Sequence, residues 1–135
     1  MARNIESIEG IGPKTAESFR SAGIRNVDQL LEAGADRSAR RALAEKTGLS
    51  EPRILEFVNM ADLFRINGVA SQYAELLEGA GVDTVKELKN RNAENLTSRM
   101  TEINNKKGLV RRAPSVKVVS GWITQAKSLP AKVSY

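Results

Sequence analysis

Apolar residues recur along this chain at helical spacing, and the glycine and polar positions between them follow one order that is used twice. Residues 8–31 read IEGIGPKTAESFRSAGIRNVDQLL, and residues 66–89 read INGVASQYAELLEGAGVDTVKELK. At a constant offset Ile8 falls on Ile66, Gly10 on Gly68, Ile11 on Val69 and Ala16 on Ala74. The register continues through Phe19/Leu77, Ala22/Ala80, Gly23/Gly81, Ile24/Val82, Val27/Val85 and Leu30/Leu88. Apolar matches apolar and glycine matches glycine, as one backbone shape used twice requires.

The pattern predicts a short helix over residues 2–8, with Ile5 and Ile8 on one side. Glycines 10 and 12 interrupt it, and Pro13 suits the first position of the next helix, where no backbone donor is lost. That helix presents Ala16 and Phe19 and runs to about Ala22, where Gly23 stops it. Asn26 with Gln29 forms a capping box for a short helix carrying Val27, Leu30 and Leu31. A further helix covers residues 36–47, with Ala39, Ala42 and Leu43 at helical spacing and Gly48 ending it. Ser50 caps a long one through about Phe64 that turns Ile54, Val58 and Ala61 inward.

The second copy repeats this order. Tyr73, Leu76, Leu77 and Ala80 form the inward stripe of its first helix, and Thr84 with Glu87 makes another capping box. Asn92 opens a helix with Leu96, Met100 and Ile103. A link over residues 104–114 follows, longer than its counterpart, with Gly108 and Leu109 expected to anchor it. Ser115 begins a closing helix bearing Val116, Val119, Ile123 and Ala126. Shifting the register pairs Phe57 with Trp122, Val58 with Ile123 and Ala61 with Ala126. No stretch alternates with period two. The expected fold is all-α: two tandem helical units over residues 1–65 and 66–130, packed as one compact protein, with a C-terminal tail at 131–135.

Composition narrows the chemistry. The 135 residues include no cysteine and no histidine, which removes thiolate chemistry, imidazole catalysis and the usual zinc ligands. No apolar run spans a bilayer and no signal-peptide pattern opens the chain, so the expected setting is the cytoplasm, without a membrane partner. The net charge of +5 is unevenly spread. Up to Arg65 ten Lys/Arg face ten Asp/Glu, and from Ile66 eleven face six. The whole surplus therefore lies in the second half, a mild attraction toward a polyanion.

The stretch IEGIGPKTA at residues 8–16 resembles the helix-hairpin-helix signature, in which an apolar residue precedes Gly-apolar-Gly and an Ala follows in the next helix. Over residues 5–129, including ILEFVNMADLFRINGV, the chain resembles an uncharacterised bacterial domain-of-unknown-function family built from two such units. That resemblance implies the helix-hairpin-helix, or SAM-like, class of folds. It also implies a grip on DNA phosphate by the hairpin, largely without reading sequence, and a monovalent cation held by the carbonyls of Glu6, Ile8 and Ile11.

The physics of the first hairpin agrees with a phosphate grip. Glycine lets the backbone approach a ligand closely, and the helix from Pro13 offers free amides and the positive end of its dipole. Gly10, Ile11, Gly12, Lys14 and Thr15 are the candidate contacts there. Arg37, Arg40 and Arg41 form a second basic group on one helix. Lys106, Lys107, Arg111 and Arg112, with Lys117, form a third around the long link. Glu6, Glu9 and Glu17 oppose them at the first hairpin. The second hairpin has Ala70, Ser71 and Gln72 in place of Gly12, Pro13 and Lys14, and reads as a structural copy.

No catalytic equipment is visible, and no cofactor is expected. GIGPKT lacks the glycine that a P-loop needs immediately before its lysine, and a dinucleotide fingerprint fails at Thr15. The acidic residues form no paired set for a two-metal nuclease. Two functions follow: a non-catalytic, sequence-nonspecific binder of double-stranded DNA, or a protein–protein interaction module of the same fold. A buried Trp122 would close the core of its unit. An exposed one would mark an interface.

Overall fold

Asn26, Asp36, Thr84, Asn92 and Ser115 each accept, through a side-chain oxygen, the amide of the residue three further on. The distances are 2.8, 2.8, 3.3, 3.0 and 3.3 Å. Each begins a helix, because the cap satisfies one of the amides that a helix start leaves unpaired. Ser50 does the same for the amide of Arg53 at 3.3 Å. The structure, a computed structural model, describes residues 3–135. Among them are eight α-helices and no strand, so the fold is all-α.

The chain divides into two units. One runs to Asp62 and takes in Lys132–Tyr135, and the other is Leu63–Ala131. The last residues thus belong with the first unit rather than forming a separate tail.

The first unit opens with a 3-10 turn, Ile5–Ser7, where the sequence pattern predicts a helix over 2–8. Residue 2 lies outside the described residues. Asn4 Oδ1 accepts the Glu6 amide at 2.9 Å, and the Ile11 amide then closes onto Ile8 O at 3.1 Å, which ends the turn before a full helix forms. Ile5 and Ile8 are nevertheless both buried. There follow α1 (Pro13–Ser21), α2 (Val27–Ala33), α3 (Arg37–Thr47) and α4 (Glu51–Leu63). Helices α1 and α2 both pack on α3. Phe19 and Phe57 meet edge-to-face in the interior, with centroids 6.0 Å apart. Of the helically spaced Ala42 and Leu43, Ala42 is exposed and Leu43 is buried.

The second unit holds α5 (Ser71–Gly79), α6 (Val85–Leu88), α7 (Ala93–Lys107) and α8 (Val116–Ser128). Its α7 and α8 pack together, α5 packs on α7 and α6 on α8. Helix α7 extends to Lys107 before Gly108 stops it, so the link is shorter than the sequence suggests. Val116 is exposed, and Val119, Trp122, Ile123 and Ala126 make the buried face of α8.

The repeat holds down to single hydrogen bonds. Ala16 donates to Gly12 O and Ala74 to Ala70 O, both at 2.9 Å. Ile24 donates to Phe19 O and Val82 to Leu77 O, again both at 2.9 Å. Gly10 and Gly68 have φ of 92° and 95°, in the region that side chains disfavour, which is why glycine occupies both turns.

Candidate nucleic-acid interface

The Gly10 turn delivers the chain into α1 through Gly12, whose extended φ of −87° and ψ of −176° make it the N-cap. No side chain caps this helix start, and Pro13 contributes no N–H. The amides of Lys14 and Thr15 therefore have no helical partner, and the positive end of the helix dipole lies at the same place. A Cβ placed on Gly12 would meet nothing within 4 Å, so the backbone is open to approach. Lys14 is exposed on the first turn and Thr15 half-buried, while Ile11 is buried and offers only its main chain.

A cation that the sequence pattern does not single out adjoins this turn. A Cβ on Gly10 would lie 3.0 Å from Arg53 Nη2 and 3.3 Å from Phe57 Cε1. Arg53 also pairs with Glu56 at 2.9 Å and remains about half exposed. Its place on the third residue of α4 is local information, but its nearness to Gly10 arises only on folding. Of the opposing carboxylates, Glu6 is drawn into an ion pair with Arg20 at 3.3 Å, and Glu9 and Glu17 are exposed. Among the carbonyls that the resemblance assigns to a cation, that of Ile8 accepts the Ile11 amide.

The second turn is built differently. A Cβ on Gly68 would lie 3.2 Å from Trp122 Nε1, so an indole stands where the first unit has a phenyl ring and a guanidinium. Trp122 is buried and meets Tyr73 at 5.4 Å, so it closes the core of its unit. Gln125 clamps Asn67, accepting its amide at 2.8 Å and donating to its carbonyl at 3.2 Å. Val118 takes the place on α8 that Arg53 takes on α4, and it is exposed.

The arginine group on α3 is not a uniform surface. Arg37 and Arg41 are exposed, and Arg41 Nε lies 4.0 Å from Glu51. Arg40 is 4% exposed, and its guanidinium is occupied by carbonyls. Nη1 donates to Gly34 O at 2.8 Å and Ala35 O at 3.1 Å, and Nη2 to Ser134 O at 2.6 Å. Two of these acceptors follow α2, so Arg40 caps the carbonyl end of that helix from the side. Burial lowers its pKa from the usual arginine value, and the charge of Asp36 works against that shift.

In the second unit Lys106, Lys107, Arg111, Arg112 and Lys117 are all exposed. Lys106 and Lys107 end α7 rather than lying in the link, which places them at the helix's negative pole. Lys106 Nζ lies 3.9 Å from Glu102, and Lys107 borders a cleft of about 180 Å³ shared with Glu75 and Glu78. Arg111 and Arg112 are held more firmly than a free loop would hold them. Val110, just before them, is buried, and Asn104 pairs with both its amide (2.9 Å) and its carbonyl (3.0 Å). The link's anchor is thus Val110, with Leu109 half-buried and Gly108 exposed.

These features define an all-α protein in which one helical pattern is used twice, both helix starts after the glycine turns lack a side-chain cap, and the first turn has Lys14 and Arg53 at its flanks. The profile of the family described as Domain of unknown function (DUF4332) matches residues 9–129, and the chain belongs to that family. No curated protein and no solved structure matches it. Among the described residues no helix is long and apolar enough to cross a membrane. No group of His, Cys, Asp and Glu among them is arranged to hold a metal ion.

Proposed function

We propose that this is a non-catalytic protein that binds double-stranded DNA without sequence preference, using helix-hairpin-helix (SAM-like) units in the cytoplasm. The observation that carries the reading is the uncapped start of α1 at Gly12, open to solvent, with Lys14 on the same turn and Arg53 against the Gly10 turn that precedes it. A phosphate oxygen there would receive amide hydrogen bonds, the helix dipole and two cationic side chains, none of which reads a base. Arg37, Arg41 and the group Lys106, Lys107, Arg111 and Arg112 would add contacts with further phosphates. Arg40 is left out, because its donors serve the first unit itself.

The test is anisotropy of a labelled duplex titrated with the protein at low and moderate salt, beside Lys14→Glu. Expected is a Kd on the order of micromolar that weakens steeply with salt, with the variant roughly tenfold weaker. Binding that is salt-sensitive but indifferent to Lys14→Glu would move the contact to the other basic groups. Absence of binding at low salt would overturn the reading.

A second reading, a protein-interaction module, draws on α8. Val116 and Val118 are the exposed large aliphatic side chains there, at 44% and 46%. Capture of a partner that Val118→Lys abolishes, without DNA binding, would favour it.

A further inference from the structure

Ser134 is read entirely through its main chain. Its amide donates to Ala35 O at 2.8 Å, and its carbonyl accepts from Arg40 Nη2 at 2.6 Å. Arg40 is prepared for this. Its Nη1 is fixed on Gly34 O and Ala35 O, both close in sequence, which leaves Nη2 aimed at an acceptor that only residue 134 supplies. The segment Lys132–Tyr135 is not helical, and the Val133 side chain is half-buried. Beside it a cleft of about 420 Å³ remains, lined by Arg37, Arg40, Glu51, Pro52, Leu55 and Tyr135. That is the size of an ordinary ligand site.

We propose that this place on the first unit is a peptide groove that reads extended backbone, and that it takes residues 132–135 from a second copy of the chain as well as from its own. Paired main-chain bonds to one residue are how extended peptides are captured in general, with side-chain pockets adding selectivity. Both bonds to Ser134 are indifferent to which molecule supplies it. The chain's own segment holds the groove at an effective concentration set by its tether through the second unit, and an identical segment from another copy competes on equal contacts. This proposal is independent of DNA binding.

A fluorescent, amidated peptide of residues 129–135 (LPAKVSY) tests it, titrated into the full chain and into a full-length Ser134→Pro variant. Proline removes the amide that Ala35 O accepts, so the variant releases its own segment, Tyr135 included, while Arg40, Pro52 and Leu55 remain in the chain to meet the peptide. Expected is peptide binding at least about tenfold tighter to the variant than to the parent, since the competing segment is gone. A peptide carrying the same Ser134→Pro change should not bind either protein. Circular dichroism should show the same helix content in parent and variant. Failure of the variant to bind the peptide at millimolar concentration would overturn the proposal. So would equal binding to parent and variant, or binding of the proline peptide.

Discussion

Arg53 lies over the ring of Phe57, its Cζ 4.6 Å from the ring centroid, and the same guanidinium closes against the Gly10 turn. The ring positions the cation against the turn that leads into α1. An exposed cation–π contact is worth only about 0.5–1 kcal/mol, so its larger consequence is where it puts the charge. Arg53→Glu should leave thermal stability nearly unchanged. It should weaken duplex binding roughly tenfold and lower the salt slope by about one. Unchanged binding would reduce Arg53 to packing on Phe57.

Two glycines separate stability from binding. Gly12 has ordinary extended dihedrals and open space around it, and its counterpart Ala70 already occupies the same N-cap conformation. Gly12→Ala should therefore shift unfolding by less than about 0.5 kcal/mol, yet weaken DNA binding by placing a methyl where phosphate would approach. Gly34 is the opposite case. A Cβ there would lie 2.5 Å from Val58 Cγ2 in the core, at a φ of −119° that any residue adopts. Gly34→Ala should cost about 1–3 kcal/mol in urea unfolding, from overpacking alone.

Asn104 joins α7 to the basic link by pairing with both main-chain groups of Val110. Asn104→Ala leaves a half-buried amide and carbonyl without partners and should cost about 1–3 kcal/mol. Hydrogen exchange at Val110 and Arg111 should accelerate while the α5 amides stay protected. If exchange there is unchanged, the buried Val110 side chain suffices to hold the link.

Asp83 carries a pH signature. Burial raises its pKa above the usual 3.8, and the neighbouring charge of Glu87 adds to the shift. A carboxyl raised on folding favours the folded state while protonated in both states, and that contribution is lost as pH rises through the folded-state value. Asp83→Asn should thus raise the melting temperature at neutral pH. The difference should shrink as pH falls through the raised folded-state value and be gone below about 4, where Asp83 is protonated in both the folded and unfolded states. A gain that persists undiminished in acid would point to another cause.

What the amino-acid sequence by itself determined is everything that depends on near neighbours. The caps at Asn26, Asp36, Ser50, Thr84, Asn92 and Ser115, the proline start of α1 and the paired glycine turns act over a few residues. Each local preference therefore agrees with the final helix. The repeat made the all-α architecture legible, because the same apolar spacing recurs with the same punctuation. Tertiary structure alone decided which cations are free. Arg40 and Arg37 stand on one helix with the same local chemistry, but Arg40 meets Ser134, 94 residues away, and is buried. Arg53 reaches Gly10 and Trp122 reaches Gly68 only because α4 and α8 close over their turns, and Gln125 fastens Asn67 across 58 residues. Periodicity specifies which face of a helix is apolar. The partner that a long polar side chain finds depends on what the folded chain brings to its end.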